Sequence, residues 1–88
     1  MLPLLEQNRR IEEEKIRVVQ GFGAKLVGAK DGKISFTLEG MRCNYKFSGG
    51  AWRPENNEGS PKADDFMAKL LSIGFLRADG TVFQEKGI

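Results

Sequence analysis

Histidine is absent from this chain. The side chain that most often serves as general base near neutral pH is therefore missing, and activating a nucleophile would fall to a lysine or a carboxylate. Cysteine occurs once, at Cys43. No intramolecular disulfide and no Cys/His metal cluster can form, and a lone Cys among alternating apolar positions reads as a small core residue. The longest apolar run is far below the ~18 residues of a membrane span. Met1-Leu-Pro-Leu-Leu5 is too short for the apolar core of a signal peptide and runs straight into charge. The expectation is a cytoplasmic protein with no membrane contact. The net charge of +2 is small for a dedicated nucleic-acid domain.

What the chain does have is alternation. Across residues 33–48, Ile34, Phe36, Leu38, Met41, Cys43, Tyr45 and Phe47 fall on one side. Ser35, Thr37, Glu39, Arg42, Asn44 and Lys46 fall on the other. A period of two predicts an antiparallel ribbon with one core face and one wet face. Asp31-Gly32 reads as a two-residue turn of type I′, which pairs Ala29 with Ile34 and Val27 with Phe36. Glu39-Gly40 turns the chain again, bringing Leu38 opposite Met41 and Phe36 opposite Cys43. In this register Val27 and Met41 both belong to the core face.

The flanking segments complete a single small α+β domain over residues 1–88. Residues 1–20 form a helix with Pro3 near its start and i,i+4 charge pairs Glu6/Arg10, Arg9/Glu13, Arg10/Glu14 and Glu13/Arg17. Its apolar stripe is thin, and Leu4, Ile11 and Val18 recur every seven residues. Two readings stand open: a helix lying on the sheet, or a projecting arm that pairs with a partner helix. Residues 24–48 form a three-stranded antiparallel β-meander. Residues 49–60 read as a loop, and residues 61–74 as a second helix packed on the sheet, with Ser60 as N-cap and Pro61 behind it. Residues 75–84 form a C-terminal β-hairpin around Asp79-Gly80. The expected core centres on Phe36, Leu38, Cys43, Tyr45, Phe66, Leu70, Ile73 and Phe83.

No catalytic constellation emerges. Asp64 and Asp65 point about 100° apart on a helix and complement its dipole. Gly21-x-Gly23 and Gly49-Gly50 lack the strand–loop–helix context of a phosphate loop. Asn56-Asn57-Glu58-Gly59 does not have calcium-loop spacing, and Glu12-Glu13-Glu14 faces three directions among Arg partners. The expectation is a non-enzymatic protein without metal or cofactor.

Two candidate contact surfaces remain. The positive excess is local: Lys25, Lys30, Lys33, Arg42 and Lys46 stand against Asp31 and Glu39 over residues 21–50. Lys30, Lys33, Arg42 and Lys46 should share the wet face with Ser35, Thr37 and Asn44, a patch able to meet phosphates or a partner's carboxylates. The second surface is Trp52-Arg53 in the expected loop, two residue types enriched at interface hot spots. The order helix, three antiparallel strands, helix resembles the double-stranded-RNA-binding domain in topology. That family contacts phosphate through basic residues at the start of its second helix. The matching stretch here, Ser60-Pro-Lys-Ala-Asp-Asp65, offers one Lys followed by two acids, so no site is carried over. The helix-then-hairpin ending is similar to that of a winged helix, without the two helices that fold places before it.

These features support two functional expectations. The first is a protein-binding module that acts by covering a partner's surface, as an inhibitor, adaptor or assembly factor of the kind phages and mobile elements encode. The second is nucleic-acid binding through the basic sheet face, by shape rather than sequence, as a monomer or as a homodimer joined along the first helix.

Overall fold

The protein is described from a computed structural model covering residues 4–55 and 60–83, with Leu4 and Leu5 as backbone alone. The elements are α1 (Leu4–Phe22), β1 (Ala24–Lys30), β2 (Lys33–Leu38), β3 (Met41–Ser48), β4 (Ala51–Pro54) and α2 (Pro61–Ser72). The strands form one antiparallel sheet in the order β1-β2-β3-β4. Both helices cover the same face of it, and the fold is α+β as the sequence predicts. Among the described residues no helix is long and apolar enough to cross a membrane.

Alternation sets the β2–β3 register as expected, with Ile34 opposite Tyr45, Phe36 opposite Cys43 and Leu38 opposite Met41. The core builds outward from this pairing. Phe36 stacks on Tyr45 at 5.9 Å and meets Phe66 of α2 at 4.6 Å, and Phe66 in turn takes the edge of Phe22 of α1 at 5.3 Å. Each fully buried Phe or Leu contributes about 1.5–3 kcal/mol. Ile11, Val18, Val19 and Phe22 hold α1 against this cluster, while Ile16 stays exposed. The four expected i,i+4 charge pairs of α1 do not close. Its one ion pair among the described residues is Lys15–Glu12, at i,i+3 and 2.8 Å.

Capping chemistry bounds α2. Ser60 accepts from the Ala63 N–H at 3.1 Å, and Pro61 follows where no N–H is needed. At the other end Phe75 N–H donates to Leu70 O at 3.0 Å and Gly74 N–H to Leu71 O at 3.2 Å, with Gly74 at φ 90°. This is a Schellman motif, and Phe75 and Leu70 are both buried beneath it.

The first strand departs from the expected register. A β-bulge lies between Leu26 and Gly28, so Leu26, not Val27, pairs with Phe36. The extra residue turns the larger Leu26 inward and leaves Val27 exposed. The Asp31-Gly32 turn is not type I′ either: Gly32 has φ 83°, but Glu39 is the one non-glycine with positive φ among the described residues. The type I′ turn is Glu39-Gly40, with φ 54° and 80°. Met41 also leaves the expected core and is 63% exposed. β4 stops at Pro54 opposite Tyr45, so at Met41 the third strand is already the sheet's edge.

The expected loop of residues 49–60 contains a fourth strand. Gly49 and Gly50, at φ 62° and 84°, turn the chain so that Phe47 pairs with Trp52 and Lys46 with Arg53. Residues 56–59 lie outside the described residues, and so does the calcium-loop spacing considered there. Residue 84 of the expected C-terminal hairpin lies outside the described residues, and among them the hairpin forms around a single bridge, Leu76–Val82. Its loop has three residues instead of two: Gly80 N–H closes on Arg77 O, and Arg77 N–H on Thr81 O, both at 3.0 Å.

Both sheet edges are blunted against pairing with another strand. β1 carries the bulge and two lysines, and β4 is only four residues long and ends in proline.

Candidate functional site

The face of the sheet away from the helices is open. Across it Lys30 pairs with Lys33, Lys33 with Lys46, and Lys46 with Arg53. Directly opposed residues of antiparallel strands project to the same side. Their neighbours Ala29, Ile34, Tyr45 and Trp52 point to the core, so this side is the solvent side. One cation from each strand thus stands in a single row, and all four are exposed. Strands are about 4.8 Å apart, so the row is about 14 Å long.

Such a row works against folding. Like charges directly opposite one another are destabilising, and two unit charges about 5 Å apart in water repel by roughly 0.8 kcal/mol. Among the described residues no carboxylate closes an ion pair with any of the four, and the two ion pairs there are Lys15–Glu12 and Lys62–Glu39. Arg53 donates its Nε–H to Ser48 O at 3.1 Å, which fixes the side chain over the Gly49-Gly50 turn without removing its charge.

A second, shorter row lies further along the strands, where Lys25 pairs with Thr37 and Thr37 with Arg42. Lys25 reaches this face through the bulge. An unbroken alternation back from Ala29 would have sent it to the core side, so the sequence reading passed over it as a site residue. Between the rows lie Gly28, Ser35 and Asn44, paired across the sheet, with exposed Val27 beside them. Glu55 donates its N–H to Asn44 O at 2.7 Å and closes this strip at the β4 edge. A shallow depression of about 250 Å³ opens at the bulge, with Lys30, Lys33, Ser35 and Arg42 in its walls.

The structure therefore divides the six candidate residues. Lys30, Lys33, Lys46 and Arg53 form one row, and Arg42 joins Lys25 in the other. Trp52 leaves the set for the opposite face. Its Nε1–H donates to Arg77 O at 3.0 Å, and its ring stands edge-on to Phe47 at 5.6 Å. Trp52 borders an apolar groove of about 360 Å³ between the β3–β4 hairpin and α2, with Tyr45, Phe47, Met67 and Leu71 along it.

Reactive groups are few. The half-buried Cys43 thiol donates weakly to Met41 O at 3.9 Å, and burial raises its pKa, which disfavours the thiolate. Tyr45 donates to Asp64 Oδ1 at 2.8 Å. Burial first, and then the hydrogen bond to the Asp64 carboxylate, push the phenol well above its usual range. Among the described residues no three Cys, Asp or Glu side chains gather as a cation site. Comparison with protein-family models, curated proteins and solved structures finds no match to this chain.

Proposed function

We propose that this is a non-enzymatic binding protein whose open sheet face docks a polyanion, nucleic acid being the class. One observation carries the reading: Lys30, Lys33, Lys46 and Arg53 stand in register across all four strands with no carboxylate among them. An arrangement that costs the fold stability is explained when a ligand supplies the missing negative charge. Backbone phosphates do so without sequence selectivity, because phosphate contacts position a protein and base contacts specify a sequence. A mobility-shift titration at two salt concentrations tests this. The four phosphate contacts of this row alone give a slope of log K against log salt of about −3 to −4 on duplex DNA. Lys33→Glu with Lys46→Glu should abolish the shift while the thermal melt stays cooperative. Unchanged binding in that variant, or no binding of any nucleic acid at ~50 mM salt, rejects the proposal.

A protein partner is the second reading, and the groove beside Trp52 favours it. Leu71 is 37% exposed on the groove's rim, and Trp52 lies half-buried along it. Leu71→Glu should weaken capture of a stoichiometric protein partner while leaving the basic face untouched. Equal capture by that variant removes this reading.

A further inference from the structure

We infer that the preferred ligand of the open face is a duplex, straddled so that its two phosphate backbones meet the two basic rows. This rests on the polyanion reading above and adds which form of nucleic acid fits.

The first observation is spacing. Lys33 and Thr37 are four residues apart on β2, as are Arg42 and Lys46 on β3. At about 3.3 Å per residue the rows lie about 13 Å apart. That is close to the ~12 Å width of the B-DNA major groove, and lysine and arginine stems absorb the difference. A single backbone following one row leaves the other unused.

The second observation is what separates the rows. Ser35, Asn44 and the Gly28 backbone are uncharged, and Glu55 at the end of the strip repels phosphate. The cations flank the strip and do not enter it. A groove floor, with its base-edge donors and acceptors, suits Ser35 and Asn44 better than phosphate does. The wide, shallow minor groove of A-form RNA, with its 2′-hydroxyls, offers the same pairing of two backbones around a polar floor.

The third observation concerns stacking. Proteins that hold single strands stack bases on aromatic side chains along a basic groove. This chain has six Phe, one Tyr and one Trp. Phe22, Phe36, Tyr45, Trp52, Phe66, Phe75 and Phe83 belong to the core or pack against it, and Phe47 lies between Trp52 and Gly80 on that same side. The open face has no ring to offer a base.

The test compares blunt duplex DNA, duplex RNA and their component single strands over a salt series. Six contacts predict a duplex slope of about −5, whereas one row on a single strand predicts about −3. Lys25→Glu with Arg42→Glu should lower the duplex slope by about 2 and weaken single-strand binding far less than duplex binding. Lys25→Gln with Arg42→Gln repeats the comparison without charge reversal, and a thermal melt confirms that each variant folds. Preference for either duplex over its own strands, lost in both variants, supports the inference, and whichever duplex binds tighter identifies the groove that fits. Equal affinity for single strands, or indifference to both variants, overturns the two-row clamp while leaving the polyanion reading in place. No binding to any form removes both.

Discussion

Asp31 Oδ1 accepts a hydrogen bond from the Val82 backbone N–H at 3.0 Å, across 51 residues of sequence. The neighbouring Gly32 N–H donates to Gly80 O at 2.8 Å, and Gly32 O accepts from Phe47 N–H at 2.9 Å. The first turn of the sheet is thus the clasp that holds the C-terminal hairpin. Val82 is 3% exposed, so an N–H left without its acceptor would be buried unpaired. Asp31→Ala should lose about 1.5–3 kcal/mol, or roughly 6–24 °C in melting temperature for a domain of this size. Asp31→Asn retains an acceptor and should lose less. A melt of Asp31→Ala within about 2 °C of the parent would contradict the clasp.

Gly80 and Gly32 separate backbone strain from steric contact. Both have positive φ, at 92° and 83°. A Cβ on Gly80 would come within 2.7 Å of the Phe47 ring, whereas one on Gly32 meets nothing within 4 Å. Gly32→Ala should therefore cost about 1–2 kcal/mol from the backbone alone. Gly80→Ala adds overpacking, typically about 1–3 kcal/mol more. Urea midpoints of the two variants measure the difference, and equal midpoints would mean that Phe47 yields freely.

The central ribbon was legible in the sequence because a period of two, Asp31-Gly32 and Glu39-Gly40 all specify the same pairing. The bulge at Val27 was not. Leu26 and Val27 are both apolar, and choosing between them requires the packing of Phe36 and Phe66 above the sheet. β4 was hidden because Gly49-Gly50 and Pro54 bracket only Ala51, Trp52 and Arg53, too short a span to show alternation. Missing it placed Trp52 and Arg53 together on one surface, when a strand sends them to opposite faces. The basic row was half visible: Lys33 and Lys46 follow from the ribbon, but Arg53 needed the fourth strand. Asp31's bond to Val82 carries no local signal at all.

Tyr45 predicts a specific response to alkali. Its folded pKa lies above the ordinary value of 10.0, through burial and then the Asp64 hydrogen bond. A group whose pKa is raised on folding contributes its full stability below the unfolded pKa and loses it as pH rises toward the folded one. Stability should therefore fall above about pH 10, and Tyr45→Phe should flatten that decline. Tyr45 is the chain's one tyrosine, so phenolate absorbance reads it directly. Phenolate should appear only as the protein unfolds, and ordinary titration near pH 10 in the folded protein would contradict the burial.

Relief of repulsion in the basic row should stabilise the fold. Lys33 has a cation on either side, Lys30 and Lys46. Lys33→Thr removes both repulsions and installs a β-branched residue on a strand, for a gain of about 0.5–1 kcal/mol at low salt. The gain should shrink as salt screens the row. The same variant should bind nucleic acid more weakly, so stability and binding move in opposite directions. A destabilised Lys33→Thr would mean that the row is supported by contacts of its own.

The most direct measurement is an amide chemical-shift titration of the folded protein with a short duplex at low salt. The largest shifts should fall at Lys30, Lys33, Lys46 and Arg53, with Lys25 and Arg42 following and the helices α1 and α2 unmoved. Shifts concentrated along α2 and Trp52, or none at all, would contradict binding through the open face.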